Sequence, residues 1–426
     1  MNMKKLIALL LSILMVLGVF AGCASQSAPA ASTDKQEEAA APAASEEAAA
    51  PAEESATEEA ASSGDKVVKI GVFEPLTGDS AAGGKQEVLG MQYANSKVPT
   101  VEIGGETYKV ELVYADNETK ADKAVSAASN LVAQGVSIVL GTYGSRQAIA
   151  ASETFKEAGI PAMGVTCTNP QITEGNSHYF RICFTDPFQG PVLASLAKDE
   201  FNADKVYCLS ENGDDYGAGL VNYFKEKANE LGIEVIEDVF PSQNADFTSY
   251  MNNAKKEGVK AIFAPVSISY AQLIIDQATA QGVNVPILGS DTWDTNTIFE
   301  VAKGKDIDIY VSTFYQEGAN PEFEKGIKEW INADSKNLEN NGGNDMLSAV
   351  TVMGYDAYMV ALEAIKAAGS TDPAAVMAAL PGVTYEGISG HIEFNETGDA
   401  NRDSAYIKSV NTETGAWDFV KVQKAS

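Results

Sequence analysis

The sequence predicts an α/β protein made of two lobes, each a doubly wound parallel sheet. From residue 67 onward, short apolar runs typical of buried strands alternate with amphipathic stretches typical of helices. Glycine follows several of the helix-like stretches, where it commonly ends a helix. The roughly 360 residues of this pattern exceed what one sheet usually holds, so two lobes fit best.

The predicted elements repeat in the order strand, helix, Gly turn and strand. The predicted strands span residues 67–73, 108–114, 137–140, 161–165, 205–209, 235–240, 261–264, 286–288 and 309–313. The predicted helices span residues 86–95, 120–134, 145–157, 190–201, 218–231, 247–257 and 271–281. This order indicates βαβ units, in which neighbouring strands run parallel.

The composition excludes several classes of function. The chain has 30 Lys and Arg residues against 59 Asp and Glu residues, a formal net charge of −29. Nucleic-acid binding is disfavoured because no surplus of cations is present to neutralise phosphates. Two His and four Cys residues leave little for a zinc site or a His-based triad, so no metal and no cofactor are expected. The thiols of Cys167, Cys183 and Cys208 would allow one disulfide with three possible pairings, and free structural cysteines are the default expectation.

Residues 1–22 are predicted to be a secretory signal peptide. Lys4 and Lys5 precede an apolar run over residues 6–20, and small residues stand directly before Cys23. The run is short for a membrane span, which needs about 20 residues. The segment before Cys23 resembles the bacterial lipobox, which implies that Cys23 is lipidated and becomes the mature N-terminus. An uncleaved anchor, or ordinary cleavage with Cys23 incidental, is the alternative.

Residues 23–65 are predicted to be the lipidated Cys and a disordered acidic tether. Residues 24–65 carry ten acids and one base and contain no Leu, Ile, Val, Phe, Tyr or Trp, so they have nothing to pack. As a flexible coil, this stretch would span about 36 Å r.m.s.. The alternative is an acidic patch that engages a partner.

The polar loops of the two predicted lobes correspond to each other. Residues 133–141 and residues 256–264 have the same pattern: each segment runs from the end of a predicted helix through Gly into a predicted strand. In parallel sheets, ligands bind beyond the carboxyl ends of the strands. The functional site is therefore predicted in the loops that follow Leu140, Val165, Leu209, Ala264 and Leu288.

Six motifs resemble those of ABC-importer solute-binding proteins of the branched-chain amino-acid (Leu/Ile/Val) type. In chain order they are residues 69–78, 141–145, 165–170, 214–217, 289–291 and 390–399. The resemblance covers essentially everything after residue 66 and implies the type I periplasmic binding protein fold, whose two lobes are joined by three crossovers. It implies that residues 66–185 with 314–404 form lobe 1, and residues 186–313 with 405–426 form lobe 2.

The resemblance also implies that five polar residues hold the solute. Ser145 matches the Ser whose hydroxyl and N–H bind the ligand carboxylate, a role that suits a helix N-terminus. Thr168 matches the Thr that contacts both carboxylate and ammonium, and the backbone carbonyl of Thr166 accepts from the ammonium. Tyr216 matches an aromatic residue that approaches from the second lobe. Asp291 matches the acid that pairs with the α-ammonium, directly or through a water.

Each of these residues also has a structural interpretation. Ser145 and Asp291 would cap the segments that they begin, and Thr166 and Thr168 would be turn residues. Tyr216 would be half-buried packing. All five fall in loops beyond strand ends, and this coincidence favours the ligand site.

Two positions depart from the family pattern. Gly83 and Ser267 stand where Leu/Ile/Val-binding members commonly carry aromatic residues against the ligand side chain. Their small size predicts a roomier or more polar pocket, which Ser267 itself, Tyr143, Gly144 and Trp293 would line. Packing within the protein is an equal alternative for Trp293.

The predicted function is capture of a small zwitterionic amino acid and its delivery to a membrane permease. The protein is expected to be a monomer, lipid-anchored to the outer face of the cell membrane or periplasmic. Binding of small amides, urea-like solutes or aromatic acids is the alternative, as is a ligand-sensing receptor domain of the same fold. An enzyme is not expected, because residues 141–145 lack the G-x-S-x-G pattern and neither His178 nor His391 is placed to serve as a base.

Overall fold

The computed structural model describes residues 66–424, so the predicted signal peptide, Cys23 and the tether lie outside the described residues. The strands are β1 (Val67–Glu74), β2 (Thr100–Ile103), β3 (Glu106–Asp116), β4 (Ile138–Leu140), β5 (Ala162–Gly164), β6 (Tyr179–Arg181), β7 (Lys205–Glu211), β8 (Glu234–Phe240), β9 (Ala261–Phe263), β10 (Ile287–Leu288), β11 (Ile309–Thr313), β12 (Thr384–Gly387), β13 (Gly390–Glu393), β14 (Ser404–Asn411) and β15 (Ala416–Lys424). Every predicted strand is present.

The predicted helices are also present, and further helices follow residue 290. The α-helices are α1 (Ala81–Lys97), α2 (Ala121–Ala133), α3 (Ser145–Glu157), α4 (Asp186–Phe201), α5 (Asp215–Glu230), α6 (Thr248–Glu257), α7 (Ile268–Ala280), α8 (Asn296–Ala302), α9 (Pro321–Asn332), α10 (Ser335–Asn340), α11 (Ala349–Ala368) and α12 (Pro373–Ala379). Short 3-10 helices begin at Pro170, Asp291 and Leu380.

Two large sheets organise these elements. The first has the strand order β2-β3-β1-β4-β5-β6, and the second has the order β15-β14-β11-β10-β9-β7-β8. The pairs around β1, β4, β7 and β9 are parallel, and β2, β14 and β15 add antiparallel edges. The prediction of an α/β protein with two parallel-sheet lobes is therefore confirmed.

The chain passes between the two sheets three times. It leaves the first sheet after β6 and enters the second at β7, leaves it after β11, and returns to it at β14. The second sheet thus takes its last two strands from the C-terminal end of the chain. This strand membership supports the predicted division into two lobes. The exact residue boundaries of the lobes stay a prediction.

The long helix α11 was not predicted from the sequence, yet it covers the first sheet together with α1. Two glycines let the helices meet at backbone distance: a Cβ on Gly90 would lie 1.9 Å from the carbonyl oxygen of Thr351. A Cβ on Gly354 would lie 2.0 Å from the carbonyl oxygen of Glu87. This close packing fixes the position of Glu87 beneath the polar loops of the first sheet.

Between residues 66 and 424, none of the helices has the length and apolar character that a membrane crossing requires. Cys167, Cys183 and Cys208 are buried and unpaired, as predicted. Burial raises the pKa of the Cys167 thiol to about 12, so this thiol stays protonated and packs as a small apolar group.

Candidate ligand-binding cleft

A cleft of about 520 Å³ opens between the polar loops of the two sheets. Its walls come from loops that follow β1, β3 and β4 of the first sheet and β7, β8, β9 and β10 of the second. It is lined by Asp79, Ser80, Thr119, Lys120, Ala121, Asp122, Tyr143, Gly144, Ser145, Arg146, Gln147, Glu211, Asp214, Tyr216, Ser242, Gln243, Ser267 and Thr292. All of these loops lie at the carboxyl ends of strands, where parallel sheets bind ligands.

The structure brings some of the predicted site residues to this cleft and buries the others. Tyr143, Gly144, Ser145, Tyr216 and Ser267 line it. A second set lies in the protein interior instead: Thr166, Thr168, Asp291 and Trp293, each 1% exposed or less. The two sets are nevertheless connected, because Tyr216 contacts Asp291.

Ser145 occupies the first turn of α3 and does not cap it. The N-cap residue of α3 is Gly144, and the Ser145 hydroxyl accepts a hydrogen bond from the backbone N–H of Asn169 at 3.2 Å. The side chain is therefore held beside the start of the helix, where the unpaired backbone N–H groups of α3 give a partial positive charge. This end of the cleft suits an anionic group.

Asp291 lies at the start of the short 3-10 helix after β10 and is buried. Its Oδ1 accepts hydrogen bonds from Gln189 Nε2 and from Tyr216 Oη, both at 2.7 Å. Burial raises the pKa of Asp291 to about 6, and these two donors partly offset the rise. Gln189 was not predicted to belong to the site, yet it also donates to Ser312 Oγ at 2.9 Å and so fixes the carboxylate.

Thr166 and Thr168 differ in how their hydroxyls are used. The Thr166 hydroxyl donates to the carboxylate of Glu87, which is fully buried on α1. The Thr168 hydroxyl is buried beside the Asp186 carboxylate and has no other hydrogen-bond partner among residues 66–424. The backbone carbonyl of Thr168 accepts from the N–H of Asp186, the first residue of α4.

Three buried acids beside the predicted residues were missed by sequence reasoning: Glu74, Glu87 and Asp186. Glu74 accepts the backbone N–H of Tyr143 at 2.8 Å, and burial together with the neighbouring Glu87 holds its pKa well above the usual range. Burial raises the pKa of Glu87 to about 7. Because Glu74 ends strand β1, the strand-end rule could have identified it, but no comparable signal marks Glu87.

Asp186 is fully buried, and within the part of the chain that the structure describes its carboxylate has no donor beside it other than the Thr168 hydroxyl. Burial raises its pKa to about 8, and the nearby Thr168 hydroxyl partly offsets that rise while the charge of Asp291 adds to it. Asp186, Thr168 and Asp291 therefore form one group of acceptors. This group has more acceptor atoms than donors and suits a cationic donor.

Tyr143 and Trp293 have different surroundings. The Tyr143 ring occupies the space above Gly83, since a Cβ there would lie 2.3 Å from the Tyr143 ring. Trp293 is not part of the cleft wall: its ring packs over Gly289 within the core of the second sheet. Trp293 is therefore a packing residue in this structure, which is the alternative interpretation, and it does not line the cleft.

The fold and the cleft define a protein that encloses a small polar solute between two lobes. The start of α3 lies in the cleft wall, and the carboxylates of Glu74, Glu87, Asp186 and Asp291 are buried in the interior. The two histidines, His178 and His391, lie outside the residues that line the cleft.

Comparison with known proteins agrees with this class. Residues 67–415 match the model of the periplasmic binding protein family. The chain belongs to the periplasmic binding protein family and is a solute-binding protein, and the family implies a location outside the cytoplasm. This is a family of binding proteins rather than enzymes.

Individual relatives extend the match. A Leu/Ile/Val-binding protein homolog of Brucella abortus is 30% identical over 339 residues, which cover 78% of this chain and 87% of that protein. The crystal structure of a leucine-binding protein from Thermotoga maritima has a TM-score of 0.75 at 31% identity, covering 84% of this chain and 99% of the other. A branched-chain amino-acid binding protein from Streptococcus pneumoniae, solved with isoleucine, has a TM-score of 0.73 at 24% identity over 84% of this chain and all of the other, which shows the shared fold. The predicted family is confirmed.

Proposed function

We propose that this protein captures a zwitterionic α-amino acid in the cleft and delivers it to the membrane permease of an ABC importer. The observation that carries the proposal is the buried Asp186 carboxylate, which has no donor beside it in the described chain other than the Thr168 hydroxyl and lies close to Asp291, the residue that Tyr216 of the cleft wall contacts. An α-ammonium group would supply these acceptors with three N–H donors and a positive charge. The names of the Brucella and Thermotoga relatives, which refer to leucine, isoleucine and valine, support an amino acid as the solute.

The ligand carboxylate is assigned to the other side of the cleft. Ser145 and the first N–H groups of α3 offer donors and a partial positive charge, and both lie in the cleft wall. The carboxylate would then contact lobe 1, and the ammonium would contact Asp186 and Asp291 of lobe 2 together with Thr168 of lobe 1. Binding and closure of the lobes would be linked, because only the closed form makes both contacts.

The proposal includes the leader and the partners. Cys23 would carry the lipid that holds the protein on the outer face of the cell membrane, and the acidic tether would let the lobes reach the permease. The binding unit would be a monomer. The lipobox-like residues before Cys23 support the anchor, and the family supports a membrane permease as the partner.

A thermal-shift screen of the full chain in detergent tests the amino-acid assignment, since a ligand stabilises the folded state by mass action. One or more free α-amino acids should raise the melting temperature in a concentration-dependent manner. The methyl ester and the N-acetyl derivative of the same amino acid should not, because each removes one of the two charges. Equal stabilisation by both derivatives would overturn the assignment.

A further inference from the structure

The loop that follows β5 of the first sheet reaches the second sheet through Asn169. Asn169 is 3% exposed, and its side-chain Nδ2 donates a hydrogen bond to the backbone carbonyl of Asp215 at 2.9 Å. Asp215 is the first residue of α5, which follows β7 of the second sheet, and the next residue of that helix is Tyr216 of the cleft wall. This bond therefore joins the polar loops of the two sheets beside the cleft.

Two other groups of Asn169 are bonded within the part of the fold around the first sheet. Its Oδ1 accepts the backbone N–H of Gln171 at 2.9 Å and so caps the short 3-10 helix that follows. Its backbone carbonyl accepts from Nη1 of Arg181 at 2.6 Å, and this buried guanidinium is paired with Asp399. Because the cap requires an oxygen, the amide nitrogen must face Asp215. The side chain of Asn169 is thus held in one orientation, directed at α5.

The backbone N–H of Asn169 holds the hydroxyl of Ser145, which lies in the cleft wall at the start of α3. This N–H donates to Ser145 Oγ at 3.2 Å. A serine hydroxyl has one proton to donate and two lone pairs to accept with. Since the oxygen accepts here, its proton stays free to donate to an anionic group in the cleft. Asn169 therefore fixes Ser145 in the donor role that a ligand carboxylate needs.

Gly219 of α5 leaves the space that the amide of Asn169 occupies. It lies one turn after Asp215, on the same face of the helix. A Cβ on Gly219 would lie 3.1 Å from Nδ2 of Asn169, so any larger residue would crowd the amide. Glycine is a poorer helix former than alanine, yet it stands at this position. The contact is therefore built from both sides, with a donor on one sheet and room for it on the other.

We propose that Asn169 is a positioning residue for solute binding, because its backbone holds the Ser145 hydroxyl while its side chain ties α5 to the same loop. This inference rests on the proposed function, in which Ser145 binds the ligand carboxylate. The bond to Asp215 exists only when the lobes are closed, so it slows release of the solute from the closed form. Solute enters the open form, in which the bond is not made, so the rate of association does not depend on it.

Two substitutions on opposite sides of the contact test this role. Asn169→Ser can still cap the 3-10 helix and keeps the backbone N–H for Ser145, but its hydroxyl is too short to reach Asp215. Gly219→Ala crowds the amide from the other side and changes no polar group. The probes are the L-amino acids of the thermal-shift screen, added singly to the full chain in detergent, with rates measured by stopped-flow fluorescence. Each variant should release its amino acid about fivefold faster than the parent protein, the effect of one lost hydrogen bond, with an unchanged association rate.

The double variant separates a shared contact from two unrelated disturbances. Because both substitutions break the same bond, Asn169→Ser combined with Gly219→Ala should release the amino acid no faster than the more affected single variant. Multiplied effects in the double variant would overturn the inference.

Asn320→Ser is the matched control, because Asn320 also caps a helix, α9, through the N–H of Phe323 and lies outside the cleft. It should lower the melting temperature and leave both rates unchanged. Release rates of Asn169→Ser and Gly219→Ala equal to that of the parent protein, or a loss confined to the association rate, would overturn the inference and leave the amino-acid assignment standing. Failure of every amino acid to bind the parent protein would instead remove the proposed function, and this inference with it.

Discussion

Tyr143 donates a hydrogen bond from Oη to the backbone carbonyl of Thr292 at 2.7 Å, which joins the loop after β4 to the segment after β10. Tyr143 lies over Gly83, where any larger residue would meet its ring. A side chain from the first sheet thus reaches the second across the wall of the cleft. Since Tyr143 is only 2% exposed, water does not compete effectively for this hydrogen bond.

Tyr143→Phe removes this bond and should favour the open arrangement of the lobes. The bond contributes about 1 kcal/mol, so we expect roughly fivefold weaker ligand binding. Solution scattering of the ligand-free variant should give a radius of gyration equal to or larger than that of the parent protein, and saturating ligand should reduce it.

The control for this substitution is Tyr358→Phe. Tyr358 Oη donates to the carbonyl of Val98, and both residues belong to the part of the fold around the first sheet. This variant should lower the melting temperature but leave ligand affinity unchanged. Equal loss of affinity in both variants would argue against a role of Tyr143 in closure, and an unchanged shape of the parent protein with ligand would argue against hinge motion.

Asp186 and Glu87 predict that the ligand-free protein loses stability as the pH rises. Burial raises the pKa of Asp186 to about 8 and that of Glu87 to about 7, whereas unfolded chains have values near 4. The folded state therefore binds more protons than the unfolded state between about pH 4 and pH 8, and the free energy of unfolding falls across this window. The melting temperature at pH 8 should be lower than at pH 5.5.

Asp186→Asn isolates this effect from the general repulsion among the many acids of the chain. The amide cannot ionise, so the decline in melting temperature between pH 5.5 and pH 8 should become shallower. Asp199→Asn is the matched control, because Asp199 is exposed on the same helix, α4. A decline of the same slope in both variants would show that Asp186 does not titrate in this range.

Helix α3 could be predicted from the sequence, whereas helix α11 could not. The amphipathic spacing of α3, the Gly that follows it and the strands on either side predict its bounds at residues 145–157, as found. Helix α11 is buried on nearly all sides, and two Gly contacts let it approach α1, so its sequence lacks the polar face that identifies a helix.

The same limit applies to the candidate site. Ser145 and Tyr216 follow strands and could be placed in the cleft by the strand-end rule. Glu87 lies in the middle of a helix, and its hydrogen bond from Thr166 joins residues 79 positions apart. Such a contact depends on how α1 packs against the sheet, which periodicity alone does not specify.

Cys23→Ser tests the anchor. Without the Cys, no lipid can be attached, and the acidic tether has no apolar residues that would bind a bilayer. The variant should move from the membrane fraction to the soluble fraction of the cells or their medium, as judged by immunoblotting after ultracentrifugation. Persistent membrane association of a verified variant would mean that residues 6–20 are retained as the anchor.

Asp291→Asn tests the ammonium contact with little change in shape. The Asn oxygen can still accept the hydrogen bonds from Gln189 and Tyr216, so the fold should be kept. The charge that pairs with the ligand ammonium is lost, and binding should weaken by about 2–5 kcal/mol, the usual cost of unpairing a buried charge. Calorimetric titration with the amino acid found by the screen measures this loss.

Asp356→Asn serves as the control, because Asp356 is also buried but accepts its hydrogen bonds from Ile388 and Ser389, away from the cleft. It should change the melting temperature and leave the affinity as it is.

Protonation of Asp291 should mimic the Asn variant, so the affinity of the parent protein should fall as the pH drops below about 6, whereas that of Asp291→Asn should not. If a neutral amide or an amine-free acid binds as tightly as the amino acid, and Asp291→Asn has no effect, the ligand is not a zwitterion and the protein remains a binding protein for another solute.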